Sequence, residues 1–141
     1  MPYPFIVDDG GRSQSQRPRQ KNDCTVRALA IVTGWTYDQA YDLLKKADRR
    51  SHRGFRLGPW LQSKGYKLSE WEIAPLALPA VKGERRMNPV TFIKQNPYGR
   101  WIVKTAGHVF AIVDGVAHDL HPESDGRCIY KAWRFFQDKG D

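Results

Sequence analysis

The sequence predicts an α+β domain, with helices in its first two thirds and an antiparallel sheet in its last third. Apolar residues recur at helical spacing over 24–33 and again from Thr36, each run closed by recognisable end signals. From Arg100 onward the pattern changes to short β-branched and aromatic runs arranged around Asp114-Gly115, the strongest hairpin signal in the chain. Helices followed by strands, rather than alternating with them, define an α+β layout. A length of 141 residues fits one domain that can bury a core.

Taken in order, residues 1–21 read as an extended N-terminal arm and 22–141 as the folded domain. The stretch DDGGRSQSQRPRQK is polar and aperiodic, and Tyr3, Phe5, Ile6 and Val7 are the side chains able to anchor it. A first helix is predicted over Cys24–Thr33, with Asn22 or Asp23 as N-cap and Gly34 after the last turn. Val26, Leu29, Ala30, Ile31 and Val32 leave it little polar surface, the mark of a buried helix. Thr36 and Gln39 form a capping box for a second helix that fades at Lys45–Asp48. Residues 49–56 read as a solvated basic loop, 59–64 as a short helix stopped by Gly65, and 66–72 as a weak strand. Pro75, Pro79 and Gly83 make 74–86 a connection, and Asn88-Pro89 caps and opens a helix to Gln95. Strands follow at 101–105, 109–113, 116–120 and 129–136.

Lysine and arginine exceed aspartate and glutamate by eight, a balance that favours acidic partners. No run approaches the roughly 20 apolar residues of a membrane span, so no membrane partner is expected. The first residues lack a basic stretch followed by an apolar one, which predicts a cytoplasmic protein. Two cysteines make no disulfide framework; Cys128 reads as a small buried hydrophobe, whereas Cys24 opens a helix.

A helix N-terminus favours the thiolate, the reactive form of cysteine. About 80 residues later, Gly107-His108 opens a strand and offers an imidazole base. If Asp114-Gly115 is a two-residue loop, Val113 pairs with Val116, Phe110 with Asp119 and His108 with His121. Alternation then places His108, Phe110, Asp119 and His121 on one face, with Asp119 diagonal to His108, and His118 on the other. A carboxylate there fixes the imidazole tautomer and stabilises the imidazolium; His121 is the fallback for that role.

Asn22-Asp23-Cys24 at the start of an apolar helix, Gly107-His108 on a later strand and Asp119 on its neighbour resemble the papain-like cysteine peptidase superfamily. The likeness runs from about Gln20 to Phe136 and is nearest to small bacterial and phage members related to bacteriocin-processing peptidases. It implies a buried nucleophile helix packed on a C-terminal antiparallel sheet, and a thiol hydrolase with Cys24, His108, Asp119 and Gln20 as its candidate catalytic set. In that superfamily a glutamine upstream of the cysteine binds the oxyanion. Gln20 stands nearer to Cys24 than the papain-type glutamine and Gln16 farther, so Gln20 is chosen, with Asn22 as its substitute. The backbone N–H of Cys24 contributes in either case.

The resulting expectation is a cysteine hydrolase acting on a protein or peptide, acidic in character, with no cofactor and no metal. His118 and His121 are badly spaced for chelation from one strand. Acyl transfer to an amine uses the same groups. Two other readings stand beside it: a non-catalytic phage structural or host-interaction protein, and a basic nucleic-acid-binding accessory. For the last, the 49–56 loop and Arg12, Arg17, Arg19 and Lys21 supply charge, and the tryptophans supply stacking surfaces.

Overall fold

The computed structural model describes residues 3–78, 87–123 and 127–137. Within them the chain runs through β1 (Phe5–Val7), a 3-10 turn (Arg12–Gln14), α1 (Cys24–Thr33), α2 (Tyr37–Lys46) and α3 (Leu57–Ser63). It continues through β2 (Lys67–Leu68), β3 (Trp71–Ala77), α4 (Pro89–Gln95), β4 (Arg100–Thr105), β5 (His108–Val113), β6 (Val116–Asp119) and β7 (Lys131–Gln137). The seven strands form one sheet in the order β1-β6-β5-β4-β7-β3-β2.

Local chemistry sets the helix ends. Gly34 closes α1 at φ 77 with its N–H on the Ala30 carbonyl, a left-handed end that glycine adopts without steric cost. The Thr36–Gln39 capping box is fully formed at α2, and Asn88 accepts from the Thr91 N–H at α4. Asp23 occupies the N-cap position of α1 but makes no side-chain cap bond; its carboxylate is engaged elsewhere.

The sheet departs from expectation in three places. Residues 66–72 form no single strand: Ser69 turns at φ 55, and β2 folds back on β3. β3 then runs through Pro75, which lies opposite Trp133 of β7. Proline lacks an N–H to donate, and it is tolerated because β2 pairs only as far as Glu72, so Pro75 lies on an open edge. Of the stretch read as a connection, residues 79–86 lie outside the described residues. Finally, the N-terminal stretch read as an arm supplies β1, parallel to β6 with Phe5 opposite Ala117. The sheet is therefore mixed, not antiparallel throughout, and neither is it confined to the C-terminal third.

Alternation along the strands builds two cores. Ile102, Val109, Trp133 and Phe135 pack with α1, α2 and α3. Their strand neighbours Trp101, Val103, Phe110 and Ala132 join Phe92 and Ile93 of α4, with Tyr3 completing the layer. No helix among the described residues is long and apolar enough to cross a membrane.

Candidate active site

Two tight turns fix the positions of the reactive side chains. Asp114 and Gly115 (φ 47 and 79) turn β5 into β6, with Val113 opposite Val116 and Ala111 opposite His118. Positive φ at both central residues is the hairpin geometry that Asp-Gly prefers. Ala106 and Gly107 (φ 70) likewise join β4 to β5, pairing Thr105 with His108. The first residue of β5 and the last of β6 thus lie at one end of the sheet, opposite the Asp-Gly turn.

There the His108 Nε2 lies 2.6 Å from Asp119 Oδ2. The thiol of Cys24, at the first position of α1, hydrogen-bonds to the same imidazole, and the Val109 backbone N–H adds a second bond to the sulfur. With Nε2 held by the carboxylate, Nδ1 is the nitrogen left for the thiol. His108 also stacks on Phe110, with ring centroids 6.0 Å apart, as residues two apart on one strand face do.

The electrostatics favour the charged pair. Burial pushes the Cys24 thiol up, but the bonds from His108 and Val109 and the charges of His108 and Arg27 outweigh it and leave the group below its ordinary value. Burial pushes His108 down, yet Asp119 and Cys24 more than reverse this and raise it to about 10. Normally imidazole gives up its proton well before a thiol does. Here the two shifts run in opposite directions, the thiol downward and the imidazole upward, and both favour the thiolate–imidazolium form of the pair. Burial also raises Asp119, and it is overcome by His108, the Leu120 N–H and Arg27, which hold the carboxyl below its usual range.

Behind the pair runs a buried charge network that sequence reasoning missed. Arg27, 8% exposed, donates from Nη1 to Asp119 Oδ1 at 2.7 Å and from Nε to Asp23 Oδ1 at 3.1 Å. Asp23 accepts further bonds from the Tyr37 hydroxyl at 2.8 Å and from Arg12 Nη1 at 3.1 Å. This is why Asp23 does not cap α1. The available signal was an arginine inside an otherwise apolar helix, four residues after an aspartate: charged residues are almost never fully buried unless paired.

Gln20 lines a groove of about 710 Å³ that also reaches Cys24 and His108. Its Oε1 faces the Arg49 guanidinium at 3.5 Å. Asn22, the substitute, donates its side-chain amide to the Ser51 carbonyl at 2.7 Å. Arg49 corrects the picture of a solvated basic loop. It is 4% exposed and donates to the Lys21 and Asn22 carbonyls, so it clamps the segment leading into Cys24. The backbone N–H of Cys24 belongs to the first turn of α1, whose N–H groups have no intrahelical acceptor.

The remaining candidates fall elsewhere. His118 bonds to Asp8 at 2.9 Å, away from the pair. His121 is exposed just beyond β6, and Asp119 takes the orienting position. Cys128 is half-buried. Trp71, Trp101 and Trp133 are core residues at 3–6% exposure, so they offer no open stacking surface.

On the other side of the thiol lies a cavity of about 640 Å³, walled by α3, the 52–56 loop and the starts of β5 and β7. It shares Asn22, Cys24, Gly107 and His108 with the groove, so the two meet at the sulfur. No protein family, curated protein or solved structure matches this chain.

Proposed function

We propose that the protein is a papain-like cysteine hydrolase that cleaves an amide or isopeptide bond in a protein or peptide. One observation carries this reading: a helix-start thiol and a carboxylate-held imidazole bonded together where a cavity and a groove meet. The Cys24 thiolate adds to the scissile carbonyl carbon. The oxyanion that forms is met by the Cys24 backbone N–H and by the Gln20 amide. As the C–N bond breaks, His108 gives its proton to the leaving amine and a thioester remains. Water then attacks, His108 takes its proton, and the thiol returns as the carboxylic acid departs. Asp119 acts through His108, holding the ring and its positive charge.

The test is alkylation with iodoacetamide at pH 6. Cys24 is expected to react far faster than Cys128, and His108→Ala should slow it on the order of 100-fold. Slow and equal labelling of both thiols would instead mark a non-catalytic binding protein. With a reactive Cys24 established, a peptide library read against Cys24→Ala reports the scissile bond, and an added amine separates acyl transfer from hydrolysis.

A further inference from the structure

The two hollows that meet at Cys24 differ in how their cations are used. The groove is lined by Asp23, whose charge and that of Asp119 occupy Arg12 and Arg27, and by the exposed Arg19 and Lys21. The α3-side cavity is lined by Arg56, Lys104 and Lys131, and none of its lining residues is acidic. Among the described residues these three cations have no carboxylate partner; Lys104 Nζ makes only a 3.4 Å contact with the Thr105 carbonyl. Arg53, in the same wall, pairs at 2.7 Å with Asp48, a carboxylate it shares with Arg50. Beneath the cations the surface is apolar, formed by Phe55, Leu57, Val109 and Trp133. An occupant must therefore bring a short apolar stem that ends in negative charge.

We propose that this cavity is the specificity subsite and takes an acidic side chain of a polypeptide substrate, its carboxylate met by Lys104, Lys131 and Arg56. The assignment rests on the hydrolase reading, because it places the acidic residue beside the bond that Cys24 attacks. An oligonucleotide fits less well: of the cavity's two aromatic side chains Trp133 is 3% exposed, which leaves Phe55 alone for a base to stack on.

The experiment compares alkylation of Cys24 by iodoacetate, which carries a carboxylate, with neutral iodoacetamide. A unit charge roughly 8 Å away in water changes such a rate roughly two- to three-fold. Lys104→Gln with Lys131→Gln is expected to lower the iodoacetate-to-iodoacetamide ratio roughly five-fold, the ratio cancelling any change in the thiolate itself. Lys131→Glu should lower the ratio further than Lys131→Gln does. Lys131 is exposed, so its single variants serve if the double variant fails to fold. Hexaglutamate, and not hexaglutamine or a thymidine hexanucleotide, should protect Cys24 from iodoacetamide. An unchanged ratio in folded variants with a fast Cys24, or protection by the oligonucleotide alone, overturns the subsite and leaves the nucleophile standing. A Cys24 slow towards iodoacetamide in the unaltered protein overturns the hydrolase reading, and the subsite with it.

Discussion

Two regions of the sheet are stabilised by different physics: the face packed on α4, and the end where β5 and β6 meet α1. Against α4 the packing is mainly apolar: Phe92 is fully buried, with its ring edge-on to Trp101 at 5.1 Å between centroids, and Val103, Phe110 and Ile112 fill the space around them. At the end of the sheet, where the first residue of β5 and the last of β6 meet α1, a buried chain of charge runs from Tyr37 through Asp23, Arg27 and Asp119 to His108. Hydrophobic burial is non-directional and tolerates small shifts, whereas a charge withdrawn from water is stable only with every partner in place. The apolar face holds the sheet together. The charged end fixes the imidazole within hydrogen-bonding reach of the thiol.

The largest expected effects separate these roles. Phe92→Ala should destabilise the fold by about 3–5 kcal/mol, with the iodoacetamide rate at Cys24 unchanged wherever the protein stays folded. Asp119→Ala leaves Arg27 with half its neutralising charge and should cost about 3–5 kcal/mol, but it should also slow that labelling. Urea unfolding and alkylation measured on the same samples decide the matter. If Asp119→Ala lost stability alone, the two regions would not differ in kind.

A smaller effect is the pH dependence of the buried pair. Above pH ~8.5 an unfolded chain has released the protons of both the cysteine and the histidine. The folded pair keeps one proton until His108 titrates at about 10. Folding therefore binds a proton across that window, and stability falls as pH rises through it, by roughly 1–2 kcal/mol. Asp119 has the opposite sign. Its depressed carboxyl contributes above roughly pH 4 and loses that contribution as pH falls through its folded value. Cys24→Ala with His108→Gln should flatten the alkaline slope of the urea midpoint relative to the unaltered protein. An unflattened slope would assign it to surface groups.

The smallest effect lies outside both regions. Thr36→Ala removes an exposed capping bond at α2 and should cost about 1 kcal/mol. No change in Cys24 labelling is expected there. A change would mean that α2, which supplies Tyr37 to Asp23, transmits strain to the site.

The parts of this molecule legible in its sequence are those governed by short-range chemistry. The bounds of α1, both caps of α2 and α4, and the Asp114-Gly115 turn depend on residues within a few positions of one another. That turn in turn set the face shared by His108 and Asp119, because side chains alternate strictly along a hairpin. The β2–β3 hairpin was missed because its turn uses Ser69 at φ 55 in place of glycine, and the strand beyond it contains a proline. Partnerships between distant segments left no local trace. Arg49 reads as one more charge in a basic loop until its contacts with residues 20–22 are seen.

Sequence alone determined the local elements and the order in which a thiol, an imidazole and a carboxylate occur along the chain, because caps, turns and alternation act over a few residues. Tertiary structure decided which of these groups touch, the parallel docking of β1, and the pairing of Arg27 with two carboxylates. Those outcomes depend on which charges are withdrawn from water together, and withdrawal from water is a property of the packed molecule rather than of any segment.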